Sequence, residues 1–220
     1  TAYEIRNCDW SSDVGSSDLF FVKKKSGQLR VILDARCPNR RFRKPPSMAM
    51  ANGADYGRVH VPQGSKLFLA MGDIENAFYR MAMPRSLSRF FAPPALQGGF
   101  HLDLGIKEVE GSAAEEGEQV WPITKRTPMG WNWALHLCQS FTSYVVQQAC
   151  PDAGYFTDHS GRKHLASHKD ALSTCYVDNF CVVGHDPKIV NSHLASIRNM
   201  FTDLGCVVHE QCSASLSGEF

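Results

Sequence analysis

The stretch KLFLAMGDIENAFY, residues 66–79, decides the fold of this chain. Residues 67–71 are all apolar, which is typical of a β-strand buried on both faces. Asp73 comes directly after the Gly that follows this run, and an aromatic, partly helical stretch begins beyond it. A carboxylate beside a buried strand is costly unless it is paired, hydrogen-bonded or bound to a metal. Asp73 is therefore the first candidate for a functional residue.

The segments that follow predict two helices and a hairpin. Over residues 134–145 the apolar residues recur at helical spacing. Two apolar runs on either side of residues 178–179 predict a β-hairpin, and a second helical pattern covers residues 187–204 before the strand-like CVVHEQ. The order strand, helix, two hairpin strands, helix, strand predicts an α+β fold. In it, a split βαβ antiparallel sheet carries helices on one face.

The residues before this region predict another hairpin and carry concentrated charge. Apolar runs at 19–24 and 28–35 flank the turn signal Ser26-Gly27. Between Lys23 and Lys44 the net charge is +8, and since the whole chain is +1, the remainder is −7. A concentrated positive region on an acidic body can hold polyphosphate or nucleic acid. The plainer alternative is a solvated charge run.

Composition excludes several classes of protein. The chain has 220 residues, of which 43% are hydrophobic and 20% charged, so wholesale disorder, collagen-like repeats and coiled coil are excluded. No apolar run approaches the roughly 18–20 residues that cross a bilayer. The polar start, TAYEIRNCDW, lacks the apolar centre of a signal peptide, and no two cysteines form a C-x-x-C pair. We expect part of a longer, intracellular protein (cytoplasm or nucleus, not secreted), with reduced thiols and no membrane partner.

A second candidate carboxylate, Asp178, lies at the tip of the predicted hairpin. If its strand neighbours that of Asp73, both carboxylates meet at one edge of the sheet. Two such acids can hold a pair of divalent ions about 4 Å apart, which activates one oxygen and stabilises another in phosphoryl displacement. Mg²⁺ suits such a site because it takes few carboxylates and fills its shell with water and phosphate oxygens. The alternative is that Asp178-Asn179 is merely a turn pair.

Sequence blocks in a fixed order connect these features to a known family. The blocks are FFVKKKSGQLRVILDARCPN (20–39), GDIENAFYRMAMP (72–84), TPMGWNWALHLCQ (127–139) and YVDN (176–179), with LGCVVHEQ (204–211) after the second helix. Together they resemble the fingers and palm of a reverse transcriptase from a retroelement or retrotransposon. The resemblance implies a right-hand polymerase fold, with fingers at about 1–64 and 84–127, palm at 65–83 and 128–220, and no thumb.

The resemblance also implies a metal site. Asp73 and Asp178 would be the catalytic, metal-binding carboxylates. The backbone carbonyl of Ile74 and the side chain of Asn179 would add further oxygen ligands for Mg²⁺, with Mn²⁺ as an alternative ion. Asn179 stands where the family motif has a second Asp, so it keeps an oxygen ligand but removes one negative charge.

A substrate-binding set is implied in the same way. Its members are Lys24, Lys25, Arg30, Phe78, Met129, Gly130 and Gln139. Arg30 and Lys24, or Lys25 in its place, would hold the triphosphate. Phe78 would pack beneath the sugar and disfavour a ribose 2′-hydroxyl. Met129 and Gly130 would line the nucleotide pocket, and Gln139 would face the template.

The implied activity is RNA-directed DNA polymerase, a nucleotidyltransferase. A primer 3′-hydroxyl would attack the α-phosphate of a deoxynucleoside triphosphate and release pyrophosphate, with positioning and charge neutralisation supplying most of the rate. The partners would be an RNA or DNA template with its primer, and deoxynucleoside triphosphates.

Three other readings stay open. A polymerase-like domain that binds RNA or DNA without synthesis would account for Asn179, and for His209 where the family commonly has Lys. Single residues have structural alternatives: Arg30 as an ion-pair partner of Asp34 or Asp73, and Phe78 as a core aromatic. A zinc module is the third reading, and its potential ligands are Cys206, His209 and Cys212, with His159, His164 and His168 near Cys175.

Overall fold

The computed structural model describes residues 3–6, 19–23, 27, 29–93, 108–109, 112–113, 115, 117, 120–167 and 169–216. The chain divides into two units, which we call the first unit (Thr1–Pro45 with Phe78–Ala134) and the second unit (Pro46–Ala77 with Leu135–Phe220). Residues 46–64 therefore lie in the second unit.

The strands and helices follow in chain order. The strands are β1 (Tyr3–Arg6), β2 (Leu19–Lys23), β3 (Leu29–Leu33), β4 (Val59–His60), β5 (Phe68–Ile74), β6 (Glu108–Val109), β7 (Ser112–Ala113), β8 (Trp121–Thr124), β9 (Gly154–Tyr155), β10 (Lys163–His164), β11 (Ala171–Tyr176), β12 (Asn179–Gly184) and β13 (Val208–Leu216). The helices are α1 (Arg36–Asn39), α2 (Gly53–Tyr56), α3 (Ala77–Arg80), α4 (Arg85–Ser88), α5 (Asn132–Ala149) and α6 (Pro187–Asp203), with a 3₁₀ turn at Arg89–Phe91.

The second unit is organised around a five-stranded sheet in the order β13–β5–β12–β11–β9. All neighbours are antiparallel except β9, which runs parallel to β11. The chain passes from β5 through α5 into the β11–β12 hairpin and through α6 into β13. Because β12 lies between β5 and β11, the sheet has the split βαβ arrangement. The edge strand β9 was not predicted from the sequence.

One face of this sheet packs against α6. Along β5, Ala70, Gly72 and Ile74 are buried in alternation, and α6 lies against this strand. The helix begins at Asp186, whose side chain accepts a hydrogen bond from the backbone N–H of Lys188, and Pro187 occupies the first helical position. Its buried residues are Val190, Leu194, Ile197 and Phe201. This spacing confirms the helix that the sequence predicted.

The opposite face of the sheet is covered as well. Leu69 and Met71, which alternate with the residues that face α6, pack on a buried cluster formed by Ala51, Phe156, Leu165, Leu172, Cys181 and Val183. Tyr56 of the short helix α2 packs on the same cluster, and Asn52 caps that helix through a capping box with Asp55. The sequence predicted the two long helices on one face, and Phe141 of α5 does contact Phe201 of α6. The opposite face also needs a covering layer because β5 is apolar on both faces.

At the edge of the sheet, β13 pairs irregularly with β5. The register shifts between Glu210 and Cys212 and again between Cys212 and Ser215. Such shifts are β-bulges, which place extra residues on one strand and bend it away from a flat ladder.

The first unit contains small antiparallel ribbons around an aromatic core. β2 pairs with β3, which gives the predicted N-terminal hairpin, and β1 pairs with β8. The core is a buried cluster that includes Leu33, Met83, Phe91 and Trp131. The Phe42 ring stacks on Phe91 with the ring centroids 5.8 Å apart.

Candidate active site

Asp73 lies near the end of β5 between two cross-strand partners. Asn179 of β12 is opposite it on one side, and His209 of β13 is opposite it on the other. Directly opposed residues on antiparallel strands have their side chains on one face, with Cβ atoms about 4.5–5.5 Å apart. A carboxylate, an amide and an imidazole therefore form a row across three strands.

Asp178 reaches the same end of the sheet from the turn between β11 and β12. Its backbone carbonyl accepts a hydrogen bond of 2.9 Å from the N–H of Ile74, the residue after Asp73. Its side-chain Oδ1 accepts one of 3.1 Å from Nδ2 of Asn179. The structure thus brings the two carboxylates to the same end of the sheet, as the predicted order of the strands implied.

The electrostatics of this edge suit a cation. Burial raises the pKa of Asp73, and the negative charge of Asp178 raises it further, while His209 acts in the opposite direction. A carboxylate whose charge is disfavoured by burial and by a second carboxylate gains from a divalent cation, and carboxylate and amide oxygens are ligands that Mg²⁺ accepts. The residues present therefore fit a hard divalent ion.

His209 has a second acidic neighbour at this edge. Its Nε2 lies 3.9 Å from Oε2 of Glu75, which follows Ile74 in the chain.

The zinc reading finds no support in the described part of the chain. Within those residues, no three His, Cys, Asp or Glu side chains come together as a metal cluster. Cys206 lies before β13, whereas His209 and Cys212 lie in it on either side of a register shift. His168 lies outside the described residues.

The residue before Asp73 is a glycine that packs against an aromatic ring. Gly72 is opposite Phe180 in β12, and a Cβ at Gly72 would lie 2.4 Å from Cζ of the Phe180 ring. The ring in turn contacts Phe201 of α6, with the ring centroids 5.4 Å apart. A side chain at Gly72 would therefore have to displace the Phe180 ring.

Gln139 is buried in the second unit. A template-facing side chain was implied, but only 2% of this residue is exposed. Its carboxamide is used within the second unit, where Oε1 accepts a hydrogen bond of 2.6 Å from the N–H of Val177. Burial leaves this side chain little surface with which to touch a template, and its assignment as a substrate contact stays a prediction.

The triphosphate-binding residues are only partly within the described structure. Arg30 lies in β3 opposite Val22, on the strand that the sequence predicted. Lys24 and Lys25, and the side chain of Arg30, lie outside the described part. Asp34, considered as a partner for Arg30, binds Arg36 through contacts of 2.6–2.9 Å. This ion pair holds the pKa of Asp34 below its usual range.

The remaining predicted residues lie in the first unit. Phe78 is half-buried and packs against the aromatic core. Met129 is half-buried and Gly130 is exposed in the turn before α5. Gly130 has a φ of +109°, and a Cβ there would lie 2.7 Å from the carbonyl oxygen of Leu33. Both its conformation and this close approach require glycine.

Sequence reasoning missed the role of Asn39. Its Nδ2 donates a 2.9 Å hydrogen bond to the carbonyl of Gly130, and its Oδ1 accepts one of 2.9 Å from the N–H of Asn132. One side chain thus fixes both the glycine turn and the first residue of α5. The signal was the Asn at the end of the block 20–39, which was quoted for the resemblance without a contact for this residue.

Comparisons with known proteins identify the family of this chain. Residues 22–216 match the family model described as reverse transcriptase (RNA-dependent DNA polymerase). A search of curated protein sequences gave no match. Among the described residues, no helix has both the length and the apolar character to span a bilayer.

A solved structure with a similar fold is a foamy viral protease-reverse transcriptase in complex with double-stranded DNA. The TM-score is 0.59 at 14% sequence identity, and the match covers 93% of this chain and 27% of that chain. This chain therefore spans about a quarter of the length of the viral chain. The likeness confirms the expected α+β class, and the family model covers most of the sequence. The chain therefore belongs to the reverse transcriptase (RNA-dependent DNA polymerase) family.

Proposed function

We propose that this chain is the fingers and palm of a retroelement reverse transcriptase and catalyses RNA-directed DNA synthesis. One observation carries the proposal: Asp73 and Asp178 lie at the same end of the sheet, and Asn179 and His209 are the cross-strand partners of Asp73. In this proposal the first unit corresponds to the fingers and the second to the palm. The predicted boundaries (fingers 1–64 and 84–127, palm 65–83 and 128–220) differ from those of the two units at residues 46–64, 78–83 and 128–134, which this proposal assigns with their units.

The metal ligands in this proposal are Asp73, Asp178, the carbonyl of Ile74 and the side chain of Asn179. When bound, Mg²⁺ or Mn²⁺ would lower the pKa of the primer hydroxyl and neutralise charge on the phosphate. The protein's own part is to hold the two carboxylates in place at the end of the sheet.

Residues of the first unit would bind the nucleotide. Lys24, Lys25 and Arg30 would neutralise the triphosphate. Phe78 would support the sugar and exclude a 2′-hydroxyl, and Met129 with Gly130 would line the pocket. The viral relative was solved with double-stranded DNA. By analogy, we propose a primer–template duplex of RNA or DNA as the partner, met inside the cell.

The test is incorporation of labelled deoxynucleotide on a primed RNA template with Mg²⁺, comparing wild type with Asp73→Ala. We expect incorporation by wild type and none by the variant, because a metal ligand is lost. Asp203→Ala is the matched control, since Asp203 is an exposed acid of α6 and the charge change is the same. Incorporation that survives Asp73→Ala would contradict the site assignment.

Thermal unfolding separates lost chemistry from lost folding. Burial and Asp178 raise the pKa of Asp73, so its ionised carboxylate destabilises the folded chain at neutral pH. The stability that this group contributes is present at low pH and is lost as the pH rises through its raised pKa. We therefore expect Asp73→Ala to unfold at a temperature no lower than wild type.

Asn179 supports one alternative, a domain that binds nucleic acid without synthesis. The site then has two carboxylates at most, and one negative charge fewer than the family motif. Salt-sensitive RNA binding with no incorporation by wild type favours this alternative. Incorporation gained by Asn179→Asp would show that the missing charge is the cause.

A further inference from the structure

The residue before Asp178 has an unusual backbone. Val177 has a φ of +58°, the left-handed region that β-branched residues rarely adopt. It lies in the turn between β11 and β12, and only 7% of its surface is exposed. A conformation of this kind persists only when surrounding contacts hold it.

Two consecutive residues of α5 supply those contacts. The N–H of Val177 donates a 2.6 Å hydrogen bond to Oε1 of Gln139, and its carbonyl accepts from Sγ of Cys138 at 3.8 Å. Gln139 also donates from Nε2 to the carbonyl of Cys175 at 3.3 Å. One buried carboxamide thus binds the backbone at two positions just before Asp178.

The orientation of this carboxamide is itself fixed by a polar network. Its Nε2 donates to Oγ of Ser143 at 3.3 Å, one turn further along α5. The hydroxyl of Tyr155 in β9 donates to the same Oγ at 3.1 Å and lies 3.1 Å from Sγ of Cys175. Since Nε2 faces acceptors and Oε1 faces a donor, a flipped amide would lose these bonds.

We infer that Gln139 is a positioning residue that holds the Val177 backbone in its left-handed turn and so aims Asp178 at the metal site beside Asp73. The inference rests on the proposed function for the role of that site. Residues that orient metal ligands affect metal affinity without touching the ion. Gln139 acts here through a backbone amide and not through the ligand's own side chain.

The test compares Gln139→Met with Gln148→Met. Methionine keeps the size of glutamine but makes no such hydrogen bonds, and Gln148 is an exposed residue of the same helix. Two readouts are independent of catalysis: amide hydrogen exchange of Val177, and the affinity for Mn²⁺ alone by electron paramagnetic resonance. For Gln139→Met we expect faster exchange confined to the hairpin and about 10-fold weaker Mn²⁺ binding. Gln148→Met should match wild type in both.

A third readout uses incorporation. The Mn²⁺ or Mg²⁺ concentration for half-maximal incorporation should rise by the same factor, with the KM for deoxynucleotide at saturating metal unchanged. General destabilisation would lower the active fraction without moving the metal requirement. If Gln139→Met does not fold, Ser143→Ala replaces it, because it removes only one acceptor of Nε2; the expected change is then about 2-fold in exchange and in Mn²⁺ affinity.

Each outcome decides the inference. Unchanged Val177 exchange in the folded variant overturns it, and so does faster exchange with unchanged Mn²⁺ affinity. If wild type incorporates no nucleotide but the variant still shows faster exchange and weaker Mn²⁺ binding, the inference stands and the proposed synthesis fails.

Discussion

The sheet end that carries Asp73 and the hairpin that carries Arg30 are built in different ways. Asp73 lies on a strand with a partner on either side, in a sheet covered on both faces. Arg30 lies on a two-stranded ribbon whose Phe21 and Leu29 side chains are 61% and 63% exposed. A two-stranded ribbon is marginally stable by itself. Metal ligands need fixed geometry, whereas long cationic side chains can reach a phosphate from several conformations.

Truncation of a core side chain should give the largest difference in stability between the two regions. Phe201→Ala removes a fully buried ring that contacts Phe180 below the Asp73 row, and we expect a loss of about 3–5 kcal/mol in the free energy of unfolding. Phe21→Ala removes an equal volume from the exposed hairpin and should cost about 0.5 kcal/mol or less. Chemical denaturation of the two variants measures both values. Equal losses would mean that the hairpin is as tightly packed as the sheet.

The reactivity of cysteine thiols should also differ between the two units. Burial raises the pKa of Cys150 to about 12, whereas Cys37 in α1 is exposed. A shift of this size reduces the thiolate fraction about 1,000-fold at a given pH. We expect iodoacetamide at pH 8 to label Cys37 and leave Cys150 unmodified, as read by mass spectrometry. Both should react in denaturant, and equal native rates would contradict the burial of Cys150.

The role of the hairpin that carries Arg30 can be tested by measuring the KM for deoxynucleotide. Arg30→Ala should raise the KM for deoxynucleotide about 10- to 100-fold, because charged hydrogen bonds to the triphosphate are lost. The metal concentration for half-maximal incorporation should stay unchanged, since that depends on the sheet end. Arg85→Ala is the control, as Arg85 is an exposed arginine of the same unit outside the basic segment 23–44. A change in metal requirement for Arg30→Ala would argue against this division of roles.

The smallest expected effect concerns a single methyl group. Gly72→Ala would place a Cβ against the Phe180 ring, and we expect about 1–3 kcal/mol of destabilisation. Gly53→Ala meets no atom within 4 Å and should change stability by about 0.5 kcal/mol or less. Thermal unfolding distinguishes them. A tolerated Gly72→Ala would show that the ring can move without cost.

Local patterns in the sequence predicted the framework of the second unit. Helical spacing and the Asp186-Pro187 start predicted α6, and the apolar run before Asp73 predicted β5. The meeting of Asp73 and Asp178 followed from strand order, because the split βαβ plan places their strands side by side. Sequence reasoning is reliable where one element carries its own periodicity or turn chemistry.

The contacts that it missed are non-local. Asn39 and Gly130 are 91 residues apart in the chain, and Gln139 and Val177 are 38 apart. No periodic pattern marks such pairs, since each needs one polar atom to meet one backbone group. The pairing of β1 with β8 was missed for the same reason, because β1 is a four-residue strand in a polar segment.

The irregular pairing of β13 has a consequence for association between molecules. A straight outer strand would offer a ladder of hydrogen-bonding groups on which the strand of another chain can settle, the route by which sheets grow into aggregates. The two bulges in β13 interrupt that ladder at Cys212. Bulges of this kind hinder the addition of a further strand on this side of the sheet.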